Sequence, residues 1–313
     1  MEQTANPKTL APGVVEQLVA TVAGLLASNS LATPGVDFTA PVGEPALSGP
    51  DSVAWQVFKN PVALFIGGVT AVVLELAEPR VRTGVWDHTT FRTDPMARMQ
   101  RTGLATMVTV YGARSVAERM ISGVGRMHAR VHGRTPAGEA YRADDPELLT
   151  WVHATANFGF LEAYATYVRP VSDAERDRYY GEGVEAARLY GAVDAPASQA
   201  EMSACFDAVF PRLERSPIVL EFLDIMRSAP IAPWPLRWLQ WMLVRAAIDL
   251  VPRRVRAVLG LDERWGLAAY ERPVVSLLGR GADRLMIPGS PAVLACRRLG
   301  LPGNYLYRRA ASA

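Results

Sequence analysis

The sequence predicts an all-α fold, and three observations carry that reading. Helix-start signals recur along the chain. Asp94-Pro95 and Asp145-Pro146 pair a capping carboxylate with a proline at the first helical position, and Ser-x-x-Glu boxes stand at Ser115, Ser172 and Ser198. Between these signals apolar residues recur at helical spacing. No stretch alternates apolar and polar residues across a turn, as a hairpin of strands would. There is no fixed-period repeat, and half of the residues are hydrophobic, enough for a substantial core. The expectation is a single domain of ten or more helices.

The elements follow in order. Val14 to Ser28 forms a first helix, and Ala32 to Ser52, rich in Pro and Gly, forms a long loop. Residues 1–50 thus read as a helix and loop packed on a body formed by residues 51–313. Val53–Phe58 and Val62–Ala77 are helical, parted by Asn60-Pro61, and Glu78-Pro79 closes the second. The apolar run Val62 to Leu74 ends at Glu75, short of the roughly 20 residues of a membrane span, so it reads as a buried core helix. Asp94 caps a helix running to Tyr111, where Gly112 stops it. Ser115 to Glu118 opens the next, to about Val131. Asp145 opens another, to about Val168, and further helices start after Ser172 and Ser198. Val219–Arg227, Leu236–Leu250 and Pro252–Leu259 follow, and Ser290-Pro291 opens a last short helix.

Composition narrows the partners. A net charge of +2 offers no footprint for nucleic acid. Lys8 and Lys59 are the only lysines, an arginine bias that fits a GC-rich coding sequence. Cys205 and Cys296 form no CxxC and read as free thiols. The opening residues lack a basic region before an apolar one, so no secretory leader is expected and the cytoplasm is the expected location. The tryptophan-rich segment Trp234–Met242 reads first as core, with a lid or a peripheral membrane contact as alternatives. Oligomeric state is not legible.

The histidines carry the chemistry that can be read. Three of the four lie between Asp87 and Gly133. His128 and His132 are four apart, which on one helix places them on one face. The residue after His128 is Ala129, so the zinc motif lacks its glutamate. No histidine has a glutamate three residues before it, so the di-iron signature is missing too. A single histidine on an apolar helix, flanked by Val124, Met127 and Val131, suits a haem iron or a hydrogen-bonded place in a core. Arg98 and Thr102, with Arg101 beside them, share a helix face that suits either an anion or solvent. His153 reads as a hydrogen-bonded neighbour of the same cavity or a second iron-facing group, and His88 as a distal candidate. No nucleophile elbow, phosphate loop or dinucleotide fingerprint is present.

Four segments in series, DHTTFRTDPMARMQRT, SVAERMISGVGRMHARVHG, DDPELLTWVHAT and YVRPVSDAERDRYY, resemble the haem-dependent oxygenase family of the latex-clearing rubber oxygenases and the fungal oxygenase of mycophenolic acid biosynthesis. The resemblance spans roughly Leu64 to Tyr180. It implies a globin-like helical core with extra helices, haem b as cofactor and O2 as co-substrate. It makes His128 the proximal ligand and places Arg98 and Thr102 near the haem. Position alone adds Met127, beside His128, and His153, one helix on, as further candidate cofactor-binding residues. Rubber oxygenases carry a lysine where Arg101 stands, and an arginine cannot shed its proton to ligate iron. Ala77-Glu78-Pro79 and Asn157-Phe-Gly-Phe160 also depart from the family pattern.

The expected activity is that of a haem b-dependent oxygenase acting on a small apolar, terpenoid-like molecule by oxidative C=C cleavage. Hydroxylation, desaturation or peroxidation by the same haem is one alternative. A haem- or lipid-binding protein without turnover is the other.

Overall fold

The computed structural model describes residues 12–31 and 35–308. Fourteen α-helices and one small hairpin make up the described chain, so the all-α, single-domain expectation holds. The centre is α3 (Pro61–Glu75), sheathed by α1 (Pro12–Leu31), α7 (Pro146–Tyr167), α10 (Pro217–Ser228), α11 (Arg237–Leu250) and α13 (Arg272–Arg284). Asn60 caps α3, its Oδ1 accepting from Val62 and Ala63, and Pro61 takes the first helical position. Nearly every residue of α3 is apolar and ten are buried, which is why it lacks a polar face.

α3 and α7 meet at two glycines. A Cβ on Gly159 would sit 2.4 Å from the Gly67 carbonyl oxygen, and one on Gly67 would sit 2.7 Å from the Phe160 Cα. Only hydrogens fit there, so the two backbones touch.

α2 (Val53–Phe58) precedes α3, and α4 (Pro79–His88) follows it at a bend of 112°. The sequence reading has no helix at α4. Its segment is poor in apolar residues and carries Arg80 and Arg82, both buried in the fold. Glu78 accepts from the backbone of Val81 and from Arg80 Nε (2.7 Å), and Arg82 donates to the Leu76 carbonyl and pairs with Glu214. Glu78-Pro79 therefore opens α4 as its cap rather than closing α3. α13 is a second helix absent from the sequence reading.

α5 (Pro95–Tyr111) starts at Asp94, whose carboxylate accepts from Ala97, as expected. α6 (Arg114–His128) differs from expectation at both ends. Ser115 makes no box with Glu118. Its amide and hydroxyl donate to Glu44 (2.6 and 3.0 Å), which belongs to the loop before α2. The helix ends at His128, and the chain turns into a hairpin of β1 (His132–Arg134) and β2 (Ala140–Arg142). That hairpin corrects the expectation of no strands.

α7 starts at Asp145 and α8 (Asp173–Tyr190) at a reciprocal Ser172–Glu175 box, as read. At α9 (Gln199–Val209) Ser198 caps, but the Glu201 carboxylate accepts from Ala197 instead of closing the box. α12 (Arg253–Leu259) and α14 (Pro291–Arg298) complete the set. Arg298, 1% exposed, donates to the carbonyls of Phe38, Glu44 and Tyr111, tying the loop after α1 to the end of α5.

Among the described residues no single helix is long and apolar enough to cross a membrane. The bent α3–α4 pair passes by length and composition, yet α3 is the innermost helix of the fold.

Candidate active site

Antiparallel packing of α3 on α7 carries Glu75, two turns beyond Gly67, to the level of Thr155, one turn before Gly159. The Thr155 side chain lies beside the Glu75 carboxyl and stabilises its charged form, while its hydroxyl donates to the Val152 carbonyl at 2.9 Å. Glu75 is half-buried, and burial pushes its carboxyl up to about 7, while Arg98 and Thr155 act in the opposite direction. It is thus a carboxyl that gains and loses a proton near neutral pH.

Arg98, in the first turn of α5, acts on this carboxyl through its charge without an ion pair. Its guanidinium lies over the Phe91 ring at 5.2 Å. Burial pulls its proton affinity down, Glu75 restores part of it, and Arg101 lowers it again. No protein hydrogen bond to the guanidinium occurs among the described residues, so its donors are free to bind an anion.

His128 closes the arrangement from α6. Its imidazole is half-buried, and burial first, then the charge of Arg98, holds its proton affinity below the ordinary range, against Asp144. It is therefore neutral at pH 7, the form in which imidazole ligates a metal. A Cβ added at Gly125, one turn earlier, would meet no atom within 4 Å. Space is open beside the histidine. Arg98 consequently feels Glu75 on one side and influences His128 on the other, and groups from α3, α5 and α6 converge.

The remaining predicted residues are dispersed. Thr102 is exposed, and its Oγ1 donates to the Arg98 carbonyl (3.0 Å). Arg101 is exposed and donates to Thr90 Oγ1 at 2.9 Å, which anchors it beside the start of α5. Met127 is 59% exposed and lines no apolar wall. Val124 and Val131 are half-buried. His132 does not share a helix face with His128, because α6 ends at His128 and His132 lies exposed on β1. His88 Nε2 pairs with the Tyr141 hydroxyl at 3.1 Å, away from Arg98 and Glu75.

His153 faces α8. A Cβ on Gly183 would lie 3.5 Å from its Nε2. Asn157 Nδ2 donates both to that Nε2 and to the His153 carbonyl, each at 2.9 Å. A carbonyl only accepts, so the amide orientation is defined and the ring proton resides on Nδ1. Burial drives the His153 pKa down to about 4, leaving it neutral.

Glu75 and Thr155 have no place in the sequence reading. The one trace of Glu75 was a carboxylate ending a long apolar run. Among the described residues no group of three or more His, Cys, Asp or Glu side chains could hold a metal ion. Two cavities lie elsewhere, one between α1, α3 and α11 and one between α2, α5 and α14.

The helical scaffold thus brings one histidine, one arginine and one carboxyl of raised pKa under mutual electrostatic influence. Residues 55–282 match the family described as ER-bound oxygenase mpaB/B'/Rubber oxygenase, catalytic domain, and the chain belongs to that family. It is an oxygenase. No curated protein and no solved structure matches it.

Proposed function

We propose that the protein is a haem b-dependent oxygenase that acts on a small apolar molecule, with His128 as the iron ligand. The observation that carries this reading is the convergence of His128, Arg98 and Glu75 from three helices. The residues fit the cofactor. A haem needs a single axial imidazole, and His128 is neutral with open space beside it. The Arg98 guanidinium lacks a hydrogen-bond partner among the described residues and suits a propionate. Among the described residues no set of three or more side-chain ligands for a metal centre occurs.

When bound, the haem iron supplies O2 binding and activation, which no side chain of this chain provides. Glu75, near half-protonated at pH 7, takes up or releases a proton at its carboxyl oxygens, and Thr155 stabilises its charged form. Arg98 stabilises negative charge beside it. Half-buried Met99, Leu104 and Val124 offer apolar surface to a substrate without polar handles. Family resemblance supports O2-dependent cleavage of a C=C bond into two carbonyl groups. Product analysis separates this from hydroxylation, desaturation and peroxidation.

The test is an absorption spectrum of the purified protein. A Soret band that shifts or disappears in His128→Ala supports the assignment. Haem-free protein after haem reconstitution, or an axial spectrum unchanged by the substitution, overturns it.

A further inference from the structure

Trp234, Trp238 and Trp241 are spaced four and three apart, a helical stripe through the turn before α11 and its first turns. The stripe runs out of the protein. Trp241 is half-buried, its ring edge-on to Trp265 at 6.3 Å and beneath Arg227 at 5.7 Å. Trp238 is 55% exposed and Trp234 82% exposed. The expectation that this segment is core therefore holds for Leu239 and Met242, which are buried, and fails for the two outer indoles.

Two large aromatic surfaces in water need a reason, because the indole is among the side chains most favoured by burial. Here the exposure is built rather than incidental. Gln240, 3% exposed, accepts from the Ala232 amide at 3.1 Å and donates to the carbonyls of Met226 (2.7 Å) and Ala229 (2.9 Å). One buried amide thus clamps the loop from both sides. Pro230, Pro233 and Pro235 stiffen the same loop. The backbone that carries the indoles is thereby fixed, so little main-chain entropy remains to be lost on docking.

The surrounding charge selects the partner. Between Asp224 and Asp249 the chain has no carboxylate, and its charged residues there are Arg227, Arg237 and Arg245. Arg245 is occupied by Glu271 and the Gly266 carbonyl, and Arg227 pairs with Asp224. Arg237, exposed and adjacent to Trp238, makes no ion pair among the described residues. A shallow apolar groove, lined among others by Val22, Phe65, Leu236 and Leu243, borders the turn. Indoles beside a free guanidinium match a lipid headgroup layer, where amphipathic rings settle at the interface and cations meet phosphates. Two protruding side chains are far below the roughly 800 Å² per partner of a stable protein interface.

We propose that this turn docks the enzyme on an anionic membrane surface, with Trp234 and Trp238 inserted among the headgroups and Arg237 on a lipid phosphate. An apolar substrate would dissolve in that same layer. The test is co-sedimentation of the full-length protein with vesicles of phosphatidylcholine alone and with added phosphatidylglycerol. Binding is expected to rise with phosphatidylglycerol, to fall at least about tenfold in W234A/W238A, and to lose its anionic preference in Arg237→Ala. The variants alter exposed side chains, so circular dichroism and absorption spectra should stay unchanged. Equal binding by wild type and W234A/W238A, or no binding by either, overturns the proposal. So does light scattering that shows a wild-type dimer and a monomeric W234A/W238A, since the indoles would then meet a second copy.

Discussion

Gly67 and Gly159 lie in backbone contact, close enough that a Cβ on Gly159 would stand 2.4 Å from the Gly67 carbonyl oxygen. This contact sets the level at which α3 and α7 pass each other. It thereby determines that Glu75 stands against Thr155. Gly159→Ala should destabilise the fold by about 2–3 kcal/mol, because neither backbone can yield without disturbing a buried helix. Thermal unfolding measures the loss. An unchanged midpoint would show that the helices can separate freely.

The Glu75 carboxyl gives a second prediction, with its sign set by linkage. Its folded pKa of about 7 stands above the ordinary 4.5. Between these values the folded state binds more protons than the unfolded one, so stability falls as pH rises through this window. Glu75→Gln removes the titration. The variant should gain about 2 kcal/mol over wild type at pH 8 and almost nothing at pH 4, after discounting for partial exposure. Denaturant unfolding at the two pH values is the measurement, and a gain independent of pH would contradict it.

His128 and His132 are separable by spectroscopy. His132 lies exposed on β1, outside the helix that ends at His128. If His128 ligates haem iron, His132→Ala should leave the absorption spectrum intact while His128→Ala alters it. The reverse pattern would move the ligand to the hairpin.

His153 makes stability acid-sensitive in the opposite sense to Glu75. Its folded pKa, about 4, lies below the ordinary 6.5. The unfolded chain therefore binds the proton first, and stability is lost as pH falls from 6.5 towards 4. His153→Gln should flatten the fall in unfolding midpoint across that window. A profile identical to wild type would place the acid sensitivity elsewhere.

Arg298 anchors the loop between α1 and α2 through three carbonyls. Arg298→Met keeps the bulk but leaves those carbonyls unsatisfied. A loss of about 3 kcal/mol is expected, together with faster proteolysis near Phe38 and Glu44. Proteolysis indistinguishable from wild type would show the loop is held by other contacts.

Local chemistry decided most of what was legible in the sequence. Asp94, Asp145 and Ser172 cap the helices they were read to cap, because each acts on amides two or three residues away. The all-α class followed from the same signals, and the family resemblance rested on motifs that are each contiguous in the chain. Ser115 shows where that logic ends. Its local partner Glu118 lost to Glu44, a residue distant in sequence that packing brought closer.

The sequence by itself determined the helical class, the family and the place of Arg98 and His128 on neighbouring helices. Only the tertiary structure decided that Glu75, at the end of an apolar run, is a carboxyl of raised pKa. Its pKa is set by burial, Thr155 and Arg98, none of them adjacent in sequence. The structure alone also separated His132 from His128 and turned two tryptophans outward, since where a helix ends and which side chains are covered depend on contacts between distant segments.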